Sequence, residues 1–507
     1  MPPSTAGSIV VVSGGSAANS LVDVFKNVSA GSPISYVIGI SDNGGSTSEL
    51  IRVFGGPGIG DIRSRLVRLV PEDGTEDSER TCIKQLLNYR LPPSAETARH
   101  EWNLIIEGTH EKWIGIPSEK KELLRSFFIL IGSEITKRTR PTSTFNFQLA
   151  SLGNLFITGC RLFFGSLESA IFLFRSICSI PEHTHVIPAL NSNFSHHIAA
   201  GLTNGTVIAG QNQISHPSEE LTPNTPITNT TALLEITNRL KHSSLTTPQQ
   251  EALGGSTTPL NPGYSTPIIY HDPDEVEDAN LPCSLPALRR GNIVFTKEEE
   301  AELASRIQRI WYINPYGQEI RPQANPKSLA AVRGAETLVY SIGSLYTSII
   351  PCLILRGMGE AIATSCKHKV LILNGSFDRE TGPGTAFTAL DFIKAITNAC
   401  VESRGIVAGE EGYAELTRER EYRKYVTHVL YLEGEGVPKV DTAKMRELGI
   451  ECWKVLGKKN EKGKGMIYDT AALTQALDMV RGKRRSPKGR RSTVDLTKKG
   501  FLPVLEI

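Results

Sequence analysis

Two acidic residues near the start of the chain, Asp42 and Asp61, stand among glycines, and their carboxylates could do chemistry. Asp42 precedes Asn43-Gly44-Gly45-Ser46, and Asp61 follows the glycine-rich stretch 55–60. Asp42 could bind a ribose hydroxyl, a magnesium ion or the hydroxyl of an acceptor substrate, or it could cap the following helix. Asp61 could bind a metal ion or hold the guanidinium of Arg63, whose planar fork suits a phosphate. A glycine-rich connection with a surface ion pair would explain Asp61 and Arg63 equally well.

A second group of residues is suited to holding a phosphate. Gly14, Gly15 and Ser16 closely follow the apolar run Ile9–Val12. Glycines there would let backbone N–H groups approach a phosphate, and the positive end of the next helix would point at it. The stretch is neither a GxGxxG nor a Walker motif, and a plain strand-to-helix turn would explain it as well.

Two later segments place polar groups beside apolar runs. Residues 343–348 read Gly-Ser-Leu-Tyr-Thr-Ser after an apolar run, and their hydroxyls and backbone amides suit a pyrophosphate. Asn154 is a polar residue at the start of a long apolar stretch, so it could reach into a crevice or cap a helix. An ordinary polar turn is the alternative for both segments.

The apolar runs before these turns predict buried parallel strands. Ile9–Val12 and Ile34–Ile40 are rich in β-branched residues, and a helix fits between them. Alternating strands and helices predict an α/β fold, in which the carboxyl ends of neighbouring strands line one crevice. The turns at Gly14 and Asp42 would therefore meet. Further strands are predicted at 185–190, 206–210, 310–313, 338–342, 370–374, 428–432 and 452–455.

The predicted α/β domain is interrupted once and followed by a tail. Residues 1–214 would form its first part and residues 291–475 the remainder. Residues 215–290 are rich in Ser, Thr, Pro, Asn and Gly. They cannot bury enough apolar surface to offset their ordering entropy, so we predict a disordered insertion. Residues 476–507 contain a dense basic cluster and are predicted to be a flexible tail, with nuclear targeting or polyanion binding as the alternative.

Composition argues against several functional classes. The 507 residues carry a formal net charge of +2, which does not suggest a protein that coats nucleic acid. The N-terminus lacks signal-peptide features, and no apolar stretch is long and continuous enough to cross a membrane. We expect a cytoplasmic protein with no membrane or specific nucleic-acid partner, and a homodimer is allowed. The histidines at 183, 185, 196 and 197 cluster in the sequence, but a metal site would need a specific geometry and usually acidic ligands as well.

Taken in order, the motifs resemble those of the 2-phospho-L-lactate transferase (CofD-like) family, which includes the related gluconeogenesis factors. The resemblance extends from the start of the chain to about Cys400, apart from the insertion. The motifs that carry it are Val12–Gly15, Ile40–Ser46, Gly60–Arg63, Ser151–Leu155, Gly205–Val207, Ser341–Pro351 and Arg379–Thr381.

The resemblance implies a Rossmann-like three-layer fold with a mainly parallel sheet. Transferases of the family move a phospholactyl group from a guanosine diphosphate conjugate to the hydroxyl of a deazaflavin, with magnesium. The gluconeogenesis factors are similar in fold but bind UDP-sugars such as UDP-N-acetylglucosamine and are regulatory. The stretch Ser344–Ser348 is closer to the second branch.

Our working hypothesis is a magnesium-dependent transferase that acts on a nucleoside-diphosphate conjugate of the GDP or UDP type. The alternative is a non-catalytic regulator that binds a UDP-sugar. In the transferase, Asp42 and Asp61 would be catalytic and would bind magnesium. The residues predicted to bind the nucleotide or its phosphates are Gly14, Gly15, Ser16, Asn43, Gly44, Gly45, Ser46, Arg63, Asn154, Gly343, Ser344, Tyr346 and Thr347.

The sequence also departs from the family pattern at two places that bear on catalysis. Asn43 stands where a second acid is usual, which reduces the negative charge available to hold magnesium. Residues 374–381 differ from the usual Asn-x-Met-Thr-Gln-Pro-Gly-Glu-Thr. Ligand binding is therefore the more secure expectation.

Overall fold

The strands of the computed structural model form two larger sheets and one two-stranded antiparallel sheet. The structure describes residues 7–42, 44–71, 74, 78–140, 143–215, 284–285, 288, 302–384, 386–405, 415–461 and 465–482. The strands are β1 (Ile9–Val12), β2 (Ile34–Ile38), β3 (Thr184–Pro188), β4 (His197–Leu202), β5 (Val207–Ala209), β6 (Ile307–Ile313), β7 (Glu319–Ile320), β8 (Thr337–Tyr340), β9 (His368–Ile372), β10 (His428–Tyr431), β11 (Glu451–Lys454), β12 (Gly457–Lys459) and β13 (Met466–Tyr468).

The main sheet has seven parallel strands in the order β3-β2-β1-β8-β9-β10-β11. Its central strand, β1, pairs Ile9 with Ile34 on one side and with Thr337 on the other. All four residues of β1 are buried, as expected for a strand covered by helices on both faces. The strand order reverses between β1 and β8, which creates the crevice at which doubly wound sheets bind ligands. The predicted Rossmann-like α/β fold is confirmed.

Helices connect the strands, and serine side chains start several of them. The long apolar stretch that begins near Asn154 forms α7 and α8, each capped by a serine, Ser151 or Ser166, and separated at Gly165. The helices are α1 (Val22–Ser29), α2 (Ser46–Phe54), α3 (Gly60–Leu69), α4 (Glu79–Asn88), α5 (Ala95–Glu107), α6 (Ser118–Arg138), α7 (Leu152–Phe164), α8 (Leu167–Ile177), α9 (Gln211–Ser215), α10 (Pro326–Gly334), α11 (Ile350–Leu353), α12 (Met358–Thr364), α13 (Ala389–Glu402), α14 (Glu415–Tyr425), α15 (Thr442–Glu447) and α16 (Thr470–Val480).

A second, antiparallel sheet of four strands, β5-β4-β6-β7, was not expected from the sequence. Its central pair joins β4 to β6, with His197 opposite Ile313, although the two strands are far apart in the chain. The predicted strand at 310–313 is confirmed, but it belongs to this second sheet. The sheet carries α9, which follows β5 directly and packs against β4.

Two predicted domain boundaries can be compared with the structure, those of the insertion and of the C-terminal tail. Almost all of the insertion at 215–290 lies outside the described residues, apart from Ser215, which ends α9, and residues 284, 285 and 288. The tail boundary at 476 needs correction, because α16 continues to Val480 and buries Leu477 and Val480. Residues 483–507, which hold the rest of the basic cluster, also lie outside the described residues. Among the described helices, none has the length and apolar character needed to cross a bilayer.

Arg481, the first residue of the basic cluster, is buried rather than solvated. Its guanidinium donates to the carbonyl oxygens of Val28, at 2.6 Å, and Gly7, at 2.5 Å. These bonds tie the end of α16 to the end of α1 and to the residues before β1.

We predict that Arg481→Ala lowers the free energy of unfolding by about 2 kcal/mol, because it leaves two carbonyls without a charged donor. Urea unfolding followed by circular dichroism measures this change. The control is Arg333→Ala, which removes an exposed arginine and should change the stability little. Equal stability of the two variants would contradict the anchoring role of Arg481.

Candidate functional site

A cleft of about 680 Å³ opens at the carboxyl edge of the main sheet, around the point where the strand order reverses. The turns after β1, β2 and β8 form its walls. Thirteen of the residues predicted for the site border it: Gly14, Gly15, Ser16, Asp42, Gly44, Gly45, Ser46, Asp61, Arg63, Asn154, Gly343, Ser344 and Thr347. Asn43, which was also predicted, lies outside the described residues.

Several helical segments begin at the cleft. A 3₁₀ turn at Ala17–Leu21 follows the first glycine turn, and the N-terminal residues of α2 and α3, Ser46 and Gly60, border the cavity. Gly45 precedes α2 with φ +51°, a backbone conformation that favours glycine. Since helix N-termini carry partial positive charge and unpaired amides, the cleft suits an anionic ligand.

The turn after β1 packs directly against Asp61. A Cβ on Gly15 would lie 2.5 Å from Asp61 Oδ1 and 2.7 Å from its Cα, and a Cβ on Gly14 would lie 2.5 Å from Ser348 Oγ. The Gly15 amide donates a hydrogen bond to the Asp61 carboxylate. Glycine is therefore required here by a close approach between backbone and carboxylate.

Asp42 is held in a similar manner by glycines. Its Oδ1 accepts a hydrogen bond of 2.9 Å from the Gly44 amide. A Cβ on Gly60 would lie 2.3 Å from Asp42 Oδ2, and one on Gly58 would lie 2.0 Å from the Asp42 carbonyl oxygen. The glycines before Asp61, predicted to fix a loop against a ligand, thus pack against Asp42.

The two carboxylates repel each other in a site that is shielded from water on all sides but the cleft. Burial raises the pKa of Asp42 to about 7, and the charge of Asp61 contributes to the increase. Burial also raises the pKa of Asp61, against the opposing charges of Arg65 and Arg63. A carboxyl group that titrates near neutral pH can accept a proton from a hydroxyl.

Arg65 organises the first turn, although the sequence did not single it out. It is completely buried and donates to the carbonyl oxygens of Ala18 and Gly14 and to Ser13 Oγ, at 3.1–3.2 Å. Its guanidinium also lies over the Tyr36 ring. The spacing of four residues from Asp61, which places both side chains on one face of α3, was the available signal.

Arg63 and Asn154, both predicted to bind phosphate, border the cleft. Arg63 is almost buried at the cleft wall, where its Nη1 donates to Asn88 Oδ1 at 3.2 Å. Asn154 Nδ2 donates to the hydroxyls of Ser46, at 3.1 Å, and Thr47, at 3.3 Å. Among the described residues, the buried atoms Asn154 Oδ1 and Arg63 Nε have no hydrogen-bond partner.

The turn after β8 is held by residues of the altered segment 374–381. Asn374 pairs with both backbone groups of Gly343, accepting from its amide at 3.0 Å and donating to its carbonyl at 2.9 Å. The buried Glu380 carboxylate accepts from the amides of Tyr346, at 2.8 Å, and Thr347, at 3.0 Å. Burial raises the pKa of Glu380 to about 8.

These contacts correct two expectations for the segment 343–348. Glu380 occupies the backbone amides of Tyr346 and Thr347, so they are not the pyrophosphate donors that the sequence suggested. Tyr346 does not border the cleft, because its ring is buried and its hydroxyl donates to the Ile307 carbonyl. Ser344, Thr347 and the unpredicted Ser348 remain at the cavity wall.

Sequence reasoning missed the contribution of α9 and of the loop before α7. Gln211, Asn212 and Ser215 border the cleft, and the Gln211 side chain accepts from Ser41 Oγ. Arg90 and Leu149 border the cleft from another side, and Arg90 donates to the Leu149 carbonyl. No local pattern marks these residues, since the second sheet brings α9 to the cleft.

The acidic groups suit a metal ion that is shared with a ligand. Among the described residues, no three histidine, cysteine or acidic side chains cluster closely enough to hold a metal by themselves. Magnesium commonly binds one or two carboxylates and completes its shell with phosphate oxygens and water. Asp42 and Asp61 fit that pattern.

A model of the family described as 2-phospho-L-lactate transferase CofD matches residues 9–456. The chain belongs to this family. It is 36% identical over 455 residues to an uncharacterized protein of Saccharomyces cerevisiae, covering 88% of this chain and 95% of that protein. The suspected resemblance to CofD-like proteins is therefore confirmed.

The gluconeogenesis-factor branch is also represented among the relatives. A gluconeogenesis factor of Halalkalibacterium halodurans is 31% identical over 139 residues, which is 27% of this chain and 37% of that protein. A crystal structure of a UPF0052 family member from Bacillus halodurans superposes with a TM-score of 0.51 at 17% identity. It covers 93% of this chain and 98% of that one, and it supports the CofD-family fold.

We predict that Asp42→Asn makes the protein more stable than wild type at pH 8. Because the folded-state pKa of Asp42 is raised above its unfolded value of 3.8, wild type loses stability as the pH rises from about 4 to about 7. Asparagine does not titrate, so the difference in unfolding free energy should grow over that range, to about 2 kcal/mol. Thermal unfolding between pH 4 and pH 8 measures it.

The control for Asp42→Asn is Asp23→Asn, which makes the same substitution at an exposed aspartate that forms a salt bridge with Arg68. It should not gain stability with pH. A pH-independent difference between Asp42→Asn and wild type would contradict the raised pKa.

Proposed function

We propose that the cleft binds a nucleoside-diphosphate conjugate and that the protein transfers a phospholactyl-type group from it to a hydroxyl acceptor. The observation that carries the proposal is the pair Asp42 and Asp61, placed within glycine turns and beside several helix N-termini at one cleft. Family membership supports a transferase of this class.

The diphosphate would lie along the turn after β1. Helix N-termini and the Arg63 guanidinium offer positive charge there, and Gly14 and Gly15 keep the wall free of side chains. The unpaired Asn154 Oδ1 would accept from a hydroxyl of the ligand. Phosphoryl-type transfer depends chiefly on such positioning and charge neutralisation.

Magnesium would be held by Asp42 and Asp61 together with the diphosphate oxygens. When bound, it would neutralise charge that develops on the diphosphate. Asn43 in place of a second acid leaves these two carboxylates as the protein's acidic contribution near the turn.

In the transfer step, the acceptor oxygen forms a bond to the phosphorus that carries the lactyl group. The P–O bond of the anhydride breaks, and a nucleoside monophosphate leaves with the electron pair of that bond. The acceptor's hydroxyl proton moves to a carboxylate oxygen of Asp42, which would act as the general base.

A second candidate function is a UDP-sugar-binding regulator without turnover. It is favoured by the similarity to proteins described as gluconeogenesis factors, which is limited to part of the chain. The same cleft would bind the UDP-sugar through its diphosphate, and Asp42 and Asp61 would then bind ligand hydroxyls or a metal ion without transferring a group.

We predict that Asp42→Asn abolishes release of nucleoside monophosphate from a phospholactyl–GDP conjugate with a deazaflavin acceptor, while GDP still binds. The amide keeps the shape of the side chain but cannot take up the acceptor proton. Product formation by liquid chromatography measures turnover, and isothermal titration measures binding. Asp23→Asn is the matched control. Full turnover in Asp42→Asn would rule out its assigned role.

We predict a larger thermal shift with GDP and magnesium together than with GDP alone if the transferase proposal holds, since stabilisation follows ligand affinity. A shift with UDP-N-acetylglucosamine, without product and without dependence on magnesium, would instead support the regulator. Absence of any shift with GDP, UDP and UDP-sugars would refute both functions.

A further inference from the structure

A second pocket, of about 330 Å³, lies at the amino edge of the main sheet, opposite the cleft. Three neighbouring parallel strands, β9, β10 and β11, begin there with His368, His428 and Glu451. The end of α16, at Met479 and Val480, closes one side. We call this cavity the amino-edge pocket. Neither the proposed reaction nor the family motifs involve it.

Cationic side chains dominate its lining. Lys367 and Arg423 border the cavity, and Glu451 is the one acidic side chain among the described lining residues. Arg423 lies across Gly449, where a Cβ would come within 3.2 Å of Arg423 Cδ. Glycine at 449 leaves room for the exposed Arg423 side chain beside the pocket, and the guanidinium fork suits an oxyanion.

His428 is oriented by its neighbour Thr427. The Thr427 hydroxyl donates to the Lys369 carbonyl at 3.1 Å, which uses its single hydrogen. His428 Nδ1 lies 2.8 Å from the same hydroxyl and forms a hydrogen bond with it. His428 Nε2 lies 3.6 Å from Glu451 Oε2, and this carboxylate opposes the effect of burial, which lowers the pKa of the ring.

His368 stands beside His428 with unused hydrogen-bonding capacity. The two ring centroids are 5.6 Å apart. Both His368 nitrogens are shielded by protein, and neither has a hydrogen-bond partner among the described residues. Buried polar atoms without partners are uncommon and call for an explanation, such as a bound ion. An oxyanion in the pocket would supply the acceptor that this ring lacks.

We propose that the amino-edge pocket binds a small phosphate dianion, either inorganic phosphate or a phosphomonoester. Arg423 and Lys367 would hold the phosphate oxygens, and Trp453, which also lines the pocket, would flank the body of an ester. The volume lies at the lower end of the range for small-ligand sites, so it admits a small ester.

Binding of a dianion is linked to the protonation of His368 and His428. The charged groups that act on His368 are Lys367, Arg481, Glu336 and Glu451, and those that act on His428 are Glu451, Arg423 and His368 itself. Burial lowers the pKa of both imidazoles in the free protein. Protonation below pH 6.5 adds positive charge to the pocket, and a bound dianion favours that protonation.

Labelling with 5-fluorotryptophan gives a direct readout, because the chain contains four tryptophans and one of them, Trp453, lines the pocket. Trp453→Phe assigns its fluorine resonance. We predict that inorganic phosphate shifts the Trp453 resonance in a saturable manner at pH 8, where phosphate is chiefly a dianion. Ribose 5-phosphate in a parallel titration distinguishes an ester from free phosphate by its lower dissociation constant.

A matched pair of variants links the shift to the pocket. Arg423→Gln should abolish the phosphate-dependent shift, whereas Lys424→Gln, which removes the same charge at the next residue outside the pocket lining, should preserve it. Thermal unfolding confirms that both variants are folded. A Trp453 resonance unmoved by phosphate, or a shift that survives in Arg423→Gln, would overturn the proposal, and neither outcome bears on turnover in the cleft.

Discussion

The close approach of backbone to two carboxylates is the constraint on which the site depends. Gly15 packs against Asp61, while Gly58 and Gly60 pack against Asp42, at distances that leave no room for a Cβ. The carboxylates are thereby brought to one cleft and deprived of water on their other sides. Such an arrangement lowers stability near neutral pH, and proteins commonly retain strain of this kind at functional sites.

The buried Arg65 is the counterpart of this constraint. Its guanidinium donates hydrogen bonds to the carbonyl oxygens of Gly14 and Ala18, and its positive charge opposes the repulsion between the Asp42 and Asp61 carboxylates. The glycine turn is thus rigid before any ligand arrives. When a ligand binds to a preformed site, less of the binding free energy is lost to ordering of the protein.

Local sequence patterns predicted the parts of the site that local geometry determines. Gly14 and Asp42 follow directly on buried strands, and parallel pairing alone brings the ends of those strands together. Gln211 could not be predicted, because an antiparallel sheet formed by distant strands delivers it. Tyr346 was misplaced because Leu345–Ile349 forms a π-helical turn, which directs that ring into the core.

Glu380 shows how an altered motif can keep a structural role. Its carboxylate occupies backbone amides at the start of a helical turn, a position that an anionic ligand would otherwise suit. With Asn374 it fixes the loop after β8, even though the residues between them differ from the family pattern. Asn374 and Glu380 therefore hold in place the loop that forms this wall of the cleft.

The pairing of β1 with β8 also has a consequence for synthesis of the chain. β1 is the central strand of the sheet, yet one of its two partners follows roughly three hundred residues later. At about 5–20 residues per second, the ribosome needs on the order of tens of seconds to deliver it. During that time the β1 edge and its apolar side chains lack their partner, so the nascent protein should depend on chaperones until its second half emerges.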